Sequence, residues 1–265
     1  MAAGALLLLM AVFLVTSSVS VVTGSTSLIT VPVMFQFGIA PRVAVATNMF
    51  ALIFLSLGGS LPFFRGKRGA IDRKRLPRLV ALTLAGSLVG ALLLLQVPQR
   101  SVPLIVSGAM IAVAVFSTLY RKSGSAGVAA APSAAAEFAG YGLTFLLGIY
   151  GGFYSGGYVT MLTAVYVAVF RHSFVEAMAT TKLINIFSSA VATAVFMAKH
   201  LIDYRLGCLL GLTMFAGAMV GAHASVRLGE RWVHRIFLTA VWALGLKALL
   251  IDVLGGSSGE HAGSR

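Results

Sequence analysis

Two small polar clusters and one lysine are the residues of this chain whose types and spacing could do chemistry. The first cluster is Gly24, Ser25, Thr26 and Ser27, and the second is Ser155, Gly156, Gly157 and Thr160. Lys182 stands beside Thr180, Thr181 and Asn185, while Thr47 and Asn48 occupy the matching place after the first cluster. Apolar runs flank them all. Non-helical backbone at membrane depth survives only where protein or a watery cavity satisfies it, so each cluster reads as a break between half-helices that faces a binding site. A helix N-terminus offers backbone N–H groups and the positive end of a dipole, and glycine lets a ligand approach them closely. Hydroxyls add donors for an oxyanion. A lysine roughly 12 Å into an apolar segment is costly there and usually marks a substrate or ion path. The residues named so far are therefore the expected substrate-binding set, and the ligand they fit is a small anion. For any single Gly, Ser or Thr the alternative is ordinary helix packing, and for Lys182 it is snorkelling toward the interface. Recurrence of the two clusters at matching places favours a site. Met49 stands at the position that matches Lys182, so only one half supplies a cation.

Composition fixes the class that must position these residues. Hydrophobic residues make up 58% of the 265 and charged residues 10%, and mean hydropathy is +0.96, so the expectation is an all-α polytopic membrane protein. The net charge of +13 would point to nucleic acid in a soluble chain, but here the basic residues lie in short loops between apolar segments. The expected partners are thus the lipid bilayer and a small anionic substrate, with no nucleic acid and with a homodimer left open. One cysteine, Cys208, excludes an intrachain disulfide and a Cys-cluster metal site. No zinc motif, nucleotide-binding loop or nucleophile with a matched base is present, and the seven acidic residues fall at or near segment ends, in loops or in the tail. An enzyme is not expected, nor a cofactor or metal. Residues 6–15 resemble a secretory apolar region, but no Lys or Arg precedes them and the corresponding second-half segment sits mid-chain, so residues 1–22 are read as structure.

Apolar segments run at about 3–22, 24–37, 41–64, 77–97 and 101–120, then 138–154, 157–170, 174–199, 204–227 and 231–252. The halves align at an offset of 133, which places Gly24 on Gly157, Ser27 on Thr160, Thr47 on Thr180 and Ser56 on Ser189. With a two-residue gap, Asp72 falls on Asp203 and Gly86/Gly90 on Gly217/Gly221. The expected organisation is a first transmembrane repeat at 1–120, a cytoplasmic linker at 121–136, a second repeat at 137–252 and a polar tail at 253–265. The second segment of each repeat is too short for a full span of about 30 Å. It reads as a tilted short span or as one arm of a re-entrant hairpin. The basic loop 65–78 is expected in the cytoplasm, with Arg121, Lys122, Arg171, His172, Arg227, Arg231 and Arg235 on its side and 199–205 outside. That arrangement requires inverted repeats, the plan of many secondary transporters. Gly86/Gly90 and Gly217/Gly221 have the spacing of close helix packing, whereas the Gly58-Gly59 pair is too weak to argue from. His223 reads as an interfacial histidine, and Tyr204 and Trp232 as interface anchors.

The Gly/Ser break, the short apolar run with Pro32, the Gly38-Ile39-Ala40-Pro41 turn, Ala-Val-Ala-Thr-Asn at 44–48 and the basic loop closing on Ile71-Asp72 resemble the sulfite exporter TauE/SafE family across nearly the whole chain. The second copy keeps Gly151-Gly152 and Gly156-Gly157 but has Val165 where Pro32 would fall. The resemblance implies export of a small sulfur oxyanion, such as sulfite or a sulfonate, across the bacterial cytoplasmic membrane. Uptake or ion-coupled movement of another small anion, or a non-transport assembly role, are the alternatives.

Overall fold

In the computed structural model of the chain, which describes residues 3–65, 73–120 and 132–224, every regular element is a helix. The first half gives α1 (Ala3–Thr23), α2 (Ser27–Gln36), α3 (Pro41–Arg65), α4 (Leu76–Gln96) and, after a single 3-10 turn, α5 (Val102–Tyr120). In the second half come α6 (Ala134–Phe153), α7 (Tyr158–Ala168), α8 (Phe174–Ala198) and α9 (Tyr204–Ala224). The expected segment 231–252, the tail, most of the linker, and the residues Lys67, Arg68, Asp72, Arg121, Lys122, Arg227, Arg231, Trp232 and Arg235 lie outside the described residues. Six of the described helices are long and apolar enough to cross a membrane. At 1.5 Å per residue α2 and α7, with 10 and 11 residues, reach only about 15 and 16 Å, half of a bilayer core.

Glycine makes the breaks. Gly24 and Gly157 take left-handed φ of 75° and 77°, a backbone region that L side chains rarely adopt, and they are partners at the offset of 133. The same relation links Gly38 (φ 76°) after α2 with Arg171 (φ 61°) after α7. Hydrogen bonds also repeat. Thr30 Oγ1 donates to Asn48 Oδ1 at 2.7 Å, and their counterparts Thr163 and Thr181 join hydroxyls at 3.0 Å. These bonds fold each short helix back along the long helix that follows it.

Close-packed glycines set the senses of the long helices. A Cβ on Gly86 would meet the Phe145 carbonyl and one on Gly90 the Ile149 carbonyl, so α4 and α6 run side by side in the same direction. Gly217 packs on Leu14 and Ser17, and Gly221 on Ser18, so α9 and α1 do likewise. Each repeat's first helix thus lies on the fourth helix of the other. Along α3 and α9, Phe50 meets Gly207, Phe54 meets Gly211 and Gly58 meets Phe215, again in the same order. Since α1 and α3 both follow α9, α2 runs against both as the short return segment between them. The equivalent helices α3 and α8 meet in reversed order, Ser56 at Asn185 and Gly59 at Lys182.

Contacts also sort the two ends of the bundle. Arg75, just ahead of α4, donates from Nε to Glu137 Oε1 at 2.8 Å and sits over the Phe170 ring at the end of α7. Glu137 stands one residue ahead of the apolar segment of α6, and the Arg75 hydrogen bond, followed by that from Tyr141, holds its carboxyl below its ordinary value. At the other end Arg42 donates to the Val97 carbonyl, and the Asp203 amide donates to Thr47 Oγ1 at 3.1 Å.

Candidate functional site

The two breaks meet each other. A Cβ on Gly24 would stand 2.9 Å from Val159 Cγ1, so glycine there lets the first break press against the start of α7. Ser25 and Thr160 join hydroxyls across the contact, and Ser20 and Thr26 do so within the first hairpin. From the second break Tyr154, fully buried, donates its hydroxyl to the Ser27 carbonyl at 2.9 Å. Tyr150 donates to the Gly156 carbonyl.

Between this junction and the crossing of α3 with α8 lies a cavity of about 30 Å³, room for roughly two water positions. Thr26, Ser27 and Ser155 supply hydroxyls from the breaks, Ser56 supplies one from α3, and α8 contributes Lys182 and Asn185. Lys182 is the one charged side chain lining it among the described residues. Its ammonium lies 3.7 Å from where a Cβ on Gly59 would stand, so the missing side chain of Gly59 leaves the space it occupies. With 8% of its surface exposed, Lys182 is held inside the bundle, unlike the snorkelling alternative. Asn185 donates to Ser56 Oγ at 2.8 Å, while its Oδ1 is buried with no hydrogen-bond partner among the described residues. A cation, several hydroxyls and an amide around a void of this size can replace the water shell of a small oxyanion.

Of the residues expected from sequence, the structure brings Gly24, Thr26, Ser27, Ser155, Lys182 and Asn185 to the cavity wall. The others serve around it. Ser25 and Thr160 tie the breaks together, and Asn48 donates to Ser27 Oγ at 2.8 Å, holding a hydroxyl that lines the cavity. Thr181 pairs with Thr163, and Thr47 caps the turn at Asp203. Gly156 faces the Tyr154 ring and Gly157 faces Val113 of α5. Thr180 is buried, with a hydroxyl that has no partner among the described residues. One detail differs from the expectation: the Gly24 amide does not point at a ligand but donates to the Ser20 carbonyl at 2.6 Å, closing the last turn of α1. Sequence reasoning missed Ser20, Leu52, Leu55, Gly59 and Val159 on the wall. Ser56 was flagged by its alignment with Ser189, whereas Gly59 carried no signal beyond the glycine pair.

Comparison with known proteins follows the same lines. Residues 8–248 match the model of the family described as Sulfite exporter TauE/SafE. A Sinorhizobium protein named probable membrane transporter protein ORF9 is 27% identical over 230 residues, covering 86% of this chain and 86% of its own. The probable membrane transporter protein YfcA of Escherichia coli K12 is 25% identical over 240 residues, covering 88% and 85%. A probable membrane transporter protein of Haemophilus influenzae is 24% identical over 225 residues, covering 84% of each. No solved structure matches the chain.

Proposed function

The chain belongs to the sulfite exporter TauE/SafE family, a family of membrane transporters, and from that premise we propose that it exports a small sulfur oxyanion across the cytoplasmic membrane by electrogenic, substrate-driven efflux. The observation that carries this reading is Lys182 buried in a small cavity walled by hydroxyls where the two breaks meet. A buried ammonium is costly, and an anion beside it offsets that cost. The size of the void favours an anion of a few heavy atoms, of which sulfite is the type. No carboxylate lines the cavity among the described residues, so the usual group for proton or sodium coupling is missing there. An exporter of anions can do without one: with the cytoplasm negative, each expelled negative charge is favoured by about 2.3 kcal/mol per 100 mV.

Inverted repeats belong to the same proposal. The reversed order in which α3 and α8 meet supports them, as does the gathering of Arg75, Glu137 and Phe170 at one end with Asp203, Thr47 and Val97 at the other. The first end, next to the basic loop, is assigned to the cytoplasm. The two repeats then alternate exposure of the cavity to either side. The test is efflux of sulfite and short sulfonates from proteoliposomes under an imposed potential, with no proton or sodium gradient. Flux that grows with the potential is the expected result. Flux that ignores it and requires an ion gradient overturns the electrogenic mechanism, and the absence of flux for every anion overturns the exporter.

A further inference from the structure

One face of α8 holds three buried polar groups that no described residue satisfies. Asn185 Oδ1, Ser189 Oγ and Thr193 Oγ1 have no hydrogen-bond partner among the described residues, and their residues are 4%, 1% and 3% exposed. Four-residue spacing puts them on a single stripe, with Lys182 one turn before Asn185. Serine and threonine within a helix ordinarily satisfy themselves by donating to a carbonyl one turn back, as Thr144 and Thr163 do here. Ser189 and Thr193 do not. Buried polar atoms left unpaired are rare in native structures, and a row of three leading away from a cavity points to water or ligand as their partner.

The stripe begins at the cavity wall with Lys182 and Asn185 and continues for about 12 Å toward the C-terminal end of α8. That end leads into the 199–203 turn, where Asp203 meets Thr47, opposite the end that carries Arg75 and Glu137. We infer that Asn185, Ser189 and Thr193 line the outer half of the anion's path, a hydroxyl and amide track that water and anion occupy when the cavity opens outward. Along it the anion leaves Lys182 for the hydroxyl donors of Ser189 and Thr193, and Asn185 serves it through Nδ2 once the bond to Ser56 is released, its Oδ1 being an acceptor that binds water. This inference rests on the export reading and adds the route that reading leaves unassigned.

The test uses the full chain carrying Cys208→Ser, in proteoliposomes of determined orientation. Ser189→Cys and Thr193→Cys are challenged from the outer side with a small anionic methanethiosulfonate, with and without methanesulfonate as competing anion. Ala190→Cys and Ala194→Cys, at exposed positions about 100° round the same helix, serve as controls off the track. The expected result is labelling at 189 and 193 at least about tenfold faster than at the controls, and slowed several-fold by methanesulfonate. Labelling at 189 and 193 no faster than at the controls, or only from the cytoplasmic side, overturns the inference. Flux of the unmodified protein is recorded in parallel. Flux without this labelling pattern removes the track alone, and absence of all flux removes the export reading and the track with it.

Discussion

Adjacency in sequence and adjacency in space part company around Lys182. Successive helix residues turn by about 100°, so Thr180 and Thr181 point away from the lysine while Asn185, three residues on, shares its face. Reading neighbours as a group therefore named residues that do not line the cavity, and it could not find Gly59, whose missing side chain leaves room for Lys182. Lys182→Met should abolish anion flux, and the protein should still insert and run as the folded species in size-exclusion chromatography, since removing a buried charge does not harm packing by itself. Normal flux in that variant would return Lys182 to a structural role. A second prediction concerns Arg171, which holds the left-handed position that Gly38 fills in the first repeat. Relieving that backbone with Arg171→Gly should stabilise the protein by about 0.5–1 kcal/mol, read as a rise of a few degrees in thermal midpoint in detergent.

Helix boundaries were legible because few residues can do what the breaks require. A left-handed turn is least costly with glycine, and both breaks use it, which is why Gly24 and Gly157 aligned without much surrounding identity. The paired small residues were legible for a similar reason, although their partners were not. Nothing in the spacing of Gly86 and Gly90 says that α6 lies against them, because contact between distant segments leaves no local trace. Gly90→Ala tests the contact: the new Cβ would stand 1.9 Å from the Ile149 carbonyl, so α4 and α6 must part, at a cost of about 1–3 kcal/mol. Gly142→Ala, on α6 with nothing within 4 Å, should leave the midpoint unchanged. Equal effects of the two substitutions would mean that α4 and α6 do not approach as described.

At the scale of the molecule the charge pattern and the packing point to the same arrangement in the bilayer. With Cys208→Ser as background, cysteines at Lys74 and Arg171 should react only with reagent on the cytoplasmic side, and cysteines at Gln99 and His200 only with reagent outside. Finding Lys74 and His200 on one side would sink the inverted arrangement. The all-helical class and the nine α-helices of the described residues could be read from hydropathy alone. Which helices touch could not, because lipid-facing and protein-facing positions are both apolar and composition does not separate them.

The crossed pairing of first and fourth helices also has a consequence for synthesis. The face of α1 that carries Ser17 and Ser18 finds its mate only when Gly217 and Gly221 of α9 have been made, some two hundred residues later. At translation rates of about 5–20 residues per second that is a wait of about 10–40 s in the membrane with a small-residue groove uncovered. During that interval α1 has only its hairpin partner, and any other helix with a matching groove competes for it. Halves produced as separate polypeptides should therefore recover function only when both are made together, each supplying the helix that completes the other.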